Sequence, residues 1–272
     1  KTIGTHAFQS CERLETVKLP SSLTEIGNYV FCYCNLKNIE IPETVTRIGT
    51  TAFAGNYALS TVNIPDGVTE IGESAFSGCG GLEKLELPPQ ITEIGKYTFS
   101  YCTSLKEIDI PDGVTEIGEG AFYNCMSLES VVFPDELDKI GNTVFIYCEK
   151  LKEAYLPDGL TSLGDGVFRY CYELERVRIP GTVTSIGDLM FDSDDMLTDV
   201  ELEEGITMLG SRMFWGCGAL ELIEIPSTVT EIGSNAFNGC SGDLLLMVTA
   251  GSYAEEWASE NGIAYDYTIP GL

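Results

Sequence analysis

The chain has 272 residues, with 15 Lys or Arg against 42 Asp or Glu and a formal net charge of −27. That balance excludes nucleic acid and an anionic membrane surface as partners, because both require a basic footprint. No apolar run approaches the length of a membrane-spanning helix.

Self-similarity then dominates the reading. An Ile-Gly or Leu-Gly pair recurs from Ile3 to Ile232 at intervals of 23 residues, with one interval of 22 between Ile26 and Ile48. A fixed period of this length is the mark of a solenoid, in which each unit buries its apolar side only against its neighbours. With the Ile as position one, position two is Gly and position six is Phe in all eleven copies. Position nine is Cys in nine copies, and position eighteen is Pro in nine of ten.

The fifth unit, Ile94–Glu116, shows what each position does. Leu105-Lys-Glu-Ile-Asp-Ile110 ends in period-2 alternation, so Ile108 and Ile110 face inward while Glu107 and Asp109 face outward on a half-buried strand. Ile110-Pro-Asp-Gly113 has the residues of a type I turn with Pro second. Gly at position two calls for a positive φ or a close backbone approach. Apolar residues at positions one, five, six and nine fit a short helical turn.

The pattern Leu-x-x-Ile-x-Ile-Pro-x-x-Val-Thr-x-Ile-Gly-x-x-Ala-Phe-x-x-Cys resembles the BspA-type, or Treponema pallidum-type, leucine-rich repeat. Ile71–Glu93 and Ile94–Glu116 match it nearly residue for residue. The resemblance implies a right-handed leucine-rich-repeat solenoid of mostly β and turn structure, with a parallel sheet on the concave face and short helical turns opposite. It also implies a non-enzymatic protein-interaction or adhesion module of a bacterial surface or secreted protein. The expected partner is a host or bacterial surface protein or a glycan, and the expected location is extracellular or at the cell surface. The alternative is a passive spacer within a larger surface protein.

Residues 1–241 carry the repeats, ten complete and one partial. Because Lys1 falls inside a repeat, the native chain is expected to continue before it, where any export signal would lie. The ninth unit, Ile186–Met208, departs from the pattern with Asp194 for Cys, Glu203 for Pro, and the run Asp192-Ser-Asp-Asp195. That run fails as an EF-hand loop, since Met196 and Leu197 fall where a ligand and the Gly belong, and it reads as a solvated acidic turn. Residues 242–272 form a C-terminal cap. Leu244, Leu246 and Val248 alternate as a strand, Ser252-Tyr-Ala-Glu255 reads as a capping box, a helix spans Tyr253–Asn261 up to Gly262, and Ala264–Tyr267 is a further strand.

The Cys column reads as buried thiols, with disulfides between neighbouring units as the alternative. Asn56 and Asp194 in the same column suit a slot that bonds the backbone. Catalytic sets are missing: His6 is the single His, so Ser/His and Cys/His pairs do not arise, and neither zinc spacing nor a phosphate loop is present. No cofactor or metal is expected, and the unit is expected to be a monomer.

What remains is the outward sheet face, the usual binding surface of a solenoid. Positions fourteen and sixteen are largely polar or acidic. The exception is a patch of Val132, Tyr155, Arg176 and Arg178 in units six to eight, since Tyr and Arg favour interface hot spots. On the opposite arc, Tyr101, Tyr123, Tyr147 and Tyr170 are expected to stack on one another over the core, with Trp215 further along; contact with a glycan or partner is the other use of these rings.

Overall fold

The computed structural model describes residues 1–268. Each unit forms one coil, and its backbone hydrogen bonds run to the coils on either side. Three ladders carry them. The first is the expected sheet: Glu107–Asp109 pairs in parallel with Ser130–Val132, in the register Glu107↔Ser130 and Asp109↔Val132. Ile108 and Ile110 are buried beneath it, while Glu107 and Asp109 are exposed. The second ladder lies at the unit boundary. Glu93–Ile94, Glu116–Ile117, Lys139–Ile140 and Ser162–Leu163 make a parallel sheet of two-residue strands.

The third ladder replaces the expected helical turns. The only α-helix among the described residues is Tyr253–Asn261. Along the arc, Tyr97, Phe99 and Tyr101 donate their N–H groups to Glu119, Ala121 and Tyr123 of the next coil at 2.9, 2.9 and 2.7 Å. The N–H groups between them close tight turns within the coil: Thr98 donates to Gly95, Ser100 to Tyr97 and Cys102 to Phe99. A helix would turn every N–H back onto its own coil. Here Tyr97 and Tyr101 adopt left-handed φ values of 53° and 58°, which aim alternate N–H groups along the stack. That conformation costs roughly 1–2 kcal/mol for a non-glycine residue, and the cross-coil bonds offset it.

One further detail differs from the sequence reading, and another is decided between its two alternatives. The turn after the sheet strand runs from Pro111 to Val114, whose N–H donates to the Pro111 carbonyl at 3.0 Å. Ile110 still belongs to the ladder, donating to Val132 at 3.2 Å, so the turn begins one residue later than expected. Position two needs glycine because of close approach and not because of φ. A Cβ on Gly118 would stand 2.8 Å from the Lys96 nitrogen, and one on Gly141 would stand 2.7 Å from that of Glu119.

The core is a column of phenylalanines. Ten successive pairs from Phe8 to Phe237 stack with ring centroids 5.2–5.9 Å apart and planes within 18°. Offset stacking at this spacing adds to the area each ring buries. The cap helix covers the far end, where Trp257 meets Phe237 at 5.8 Å and Ala254 and Ala258 are buried. Ser252 accepts from the Glu255 N–H, and Gly262 ends the helix at φ 69°. The Glu255 carboxylate accepts from the Gly251 N–H, one residue before the position a capping box specifies.

Beside the phenylalanines runs the thiol column. The cysteines are free. Cys125 and Cys171 donate to Phe99 and Phe145, each in the coil before, at 3.2 Å, and burial pushes the Cys102 thiol up to about 12. Asn56 fills the same slot with three bonds: its amide donates to the Phe31 and Phe53 carbonyls, and its oxygen accepts from Leu36. Asp194 also fills it, so Asp192–Asp195 is not a solvated turn. Asp194 is fully buried, Asp192 nearly so, and the Arg169 guanidinium bonds Asp192 at 2.7 Å. One Asp194 oxygen accepts from the Cys171 N–H at 2.7 Å, and the other has no partner among the described residues. Burial holds this carboxyl well above the usual carboxylate range.

Candidate functional site

Position sixteen of each coil projects from the first sheet, so the residues named from the sequence form a column and its neighbour. Tyr155 stands in register with Arg178 and then Glu201, and Glu153 with Arg176 and then Asp199. Val132 occupies the same column one coil before Tyr155. The strand Ser130–Val132 pairs with Glu107–Asp109, and Glu153–Tyr155 pairs with Arg176–Ile179, but these two strands are not paired to each other. Val132 and Tyr155 therefore flank a seam in the ladder, and both are well exposed, at 60% and 52%. A β-branched and an aromatic side chain left in water at adjacent positions of a charged face form an amphipathic anchor of the kind interfaces use.

The two arginines differ. Arg178 is held within the chain: it bonds Asp158 at 2.5 Å, the Leu156 carbonyl at 3.0 Å, and Glu203. The hydrogen bond to Asp158, then that to Glu203, raises its already high pKa. Glu203 also accepts from the Gly181 N–H at 3.1 Å. The Glu that replaces Pro in the ninth coil is thus the group that clamps Arg178. Sequence reasoning singled out Glu203 as irregular without assigning it a partner. Arg176 makes no ion pair among the described residues, and it lies exposed between Glu153 and Asp199. The patch therefore presents Val132 and Tyr155 as apolar surface, Arg176 as available cation, and Arg178 as a neutralised, fixed floor.

The tyrosine arc packs on itself as expected. Ring centroids are 5.4 Å apart for Tyr101–Tyr123, 6.0 Å for Tyr123–Tyr147 and 4.8 Å for Tyr147–Tyr170. Arg169 caps the series, 4.4 Å above the Tyr170 ring. The first two contacts are tilted or edge-on, a geometry that seals the coil surface and offers no flat platform.

A stack of parallel-strand coils closed by leucine-rich-repeat residues at fixed positions defines a leucine-rich-repeat solenoid. The family model described as BspA type leucine rich repeat region (6 copies) matches residues 1–129 and 115–242, and the chain belongs to that family. It is similar to a leucine-rich repeat protein from Bacteroides ovatus at 26% identity, covering 98% of this chain and 87% of that one with a TM-score of 0.64. It is similar to a leucine rich cell surface protein from Faecalibacterium prausnitzii at 25% identity, covering 94% and 87% with a TM-score of 0.54. A T. pallidum leucine rich repeat protein is 26% identical, covering 89% of each chain with a TM-score of 0.56. No curated protein matches. No catalytic family is indicated, and among the described residues no helix is long and apolar enough to cross a membrane.

Proposed function

We propose that this chain is a non-enzymatic binding module of a bacterial surface protein and that its sheet face meets a protein partner at Val132, Tyr155 and Arg176. The observation that carries the reading is the exposed Val132–Tyr155 pair at the ladder seam. Large apolar groups are otherwise sparse on a face whose neighbouring positions are Asp109, Glu153, Asp199 and Glu201. Carboxylates around an apolar anchor repel wrong partners and steer a basic surface toward it. The similarity to a named cell surface protein supports placement outside the cell, and adhesion is the form of binding that such a placement favours.

The test is an array of immobilised extracellular-matrix and bacterial surface proteins probed with the whole chain, followed by Tyr155→Ala on every hit. Loss of at least about 2 kcal/mol with an unchanged melting curve supports a hot spot here. Hits that bind Tyr155→Ala as well as the parent remove the site from this face. An array without hits favours the spacer.

A further inference from the structure

The junction between the last coils and the cap holds a cleft of a different chemistry. Its volume is about 510 Å³, and its walls are Trp215, Asn235, Phe237, Asn238, Trp257 and Asn261, together with small or apolar neighbours. No charged residue lines it. In a chain of net charge −27 this is a departure: the four other clefts described all have carboxylates in their walls, such as Glu93 and Glu116, or Asp109 and Asp112. Both tryptophans of the chain stand here.

Their roles separate. Trp257 packs on Phe237 and closes the core. Trp215 is 38% exposed. The Arg212 guanidinium lies 5.2 Å from its centroid, which holds the indole in place by cation–π attraction. The amides are half-used. Asn238 donates to Asn235 at 2.9 Å, and Asn261 donates to the Trp257 carbonyl at 2.8 Å. Among the described residues this leaves the Asn235 NH₂ and the oxygens of Asn238 and Asn261 unpartnered. Asn235 sits in the left-handed region at φ 58°, which Asn tolerates better than most residues, and Asn261 ends the cap helix next to Gly262.

We propose that this cleft binds a neutral saccharide, at a site distinct from the sheet face. An indole face takes the C–H side of a pyranose ring, and neutral amide donors and acceptors match its hydroxyls. Concave, aromatic-walled sites with a few convergent polar groups are where small ligands bind. The field of the surrounding carboxylates disfavours anionic sugars.

Because both tryptophans line the cleft, tryptophan emission excited selectively over the 13 tyrosines reads occupancy of this site. The whole chain is titrated with neutral glucan, chitin and galactan oligosaccharides, with sialyllactose as the charged control. The expected result is a shift in emission with at least one neutral oligosaccharide and none with sialyllactose. Calorimetry on Trp215→Ala and Asn238→Ala then shows affinity reduced at least about tenfold, with the parent's melting temperature, while Tyr155→Ala binds as the parent does. The proposal is overturned if no neutral oligosaccharide shifts the emission, if sialyllactose binds more tightly, or if Trp215→Ala binds unchanged.

Discussion

Asp194→Asn should stabilise the protein, and should do so more as pH rises. In the parent, one Asp194 oxygen accepts from the Cys171 N–H and the other is buried without a partner among the described residues. Asn56 shows what an amide does in this slot: its oxygen keeps the acceptor role and its NH₂ donates to two phenylalanine carbonyls, of Phe31 and Phe53. The corresponding carbonyls in the ninth coil are those of Phe168 and Phe191. Satisfying a buried polar atom is worth about 1–3 kcal/mol, or roughly 2–4 °C in melting temperature per kcal/mol for a chain of this size.

The pH dependence follows from the direction of the shift. Burial raises the folded-state pKa of Asp194, so the folded state holds this proton more tightly than the unfolded chain. Its contribution to stability is complete below the unfolded value of about 3.9 and is lost as pH rises toward the folded value. An amide does not titrate. The advantage of Asp194→Asn is therefore smallest near pH 4 and grows toward neutral pH. The other carboxylates are common to both chains; of these, Asp192 and Asp195 also raise the Asp194 pKa by like-charge repulsion, which acts in the same direction as burial. Reversible urea melts of both chains at pH 4, 5.5, 7 and 8.5 measure the advantage. A variant less stable than the parent at pH 7, or a difference that does not change with pH, would refute the reasoning.

Phe122→Ala removes a fully buried ring stacked between Phe99 and Phe145, and should cost about 3–5 kcal/mol in the same melts; a loss under about 1 kcal/mol would mean the column does not carry the core. A maleimide reagent should modify the native chain fast at exposed Cys11 and slowly at part-buried Cys240, with all ten cysteines reacting only after denaturation. Fast labelling of Cys125 or Cys148 would contradict the buried column.

The stack, its phenylalanine column, its thiol slot and the inward Ile108 and Ile110 were legible in the sequence. Each is set by contact with a copy of itself one coil away, so periodicity alone specifies the partner. The arc was not legible. Apolar spacing at positions one, five, six and nine is the same for a helical turn and for a chain of tight turns. Only the neighbouring coil, which receives the N–H groups of Tyr97, Phe99 and Tyr101, selects the second. The patch was half legible. Val132 and Tyr155 project by strand alternation, but Arg178 is captured by Asp158 and Glu203 from the coils on either side. The cleft between Trp215 and Trp257 was hidden altogether. It exists because the cap helix folds back over the last coil, and where non-repeating side chains meet there is no period to read. A repeat sequence determines what every coil shares, and tertiary packing decides what a single coil does differently.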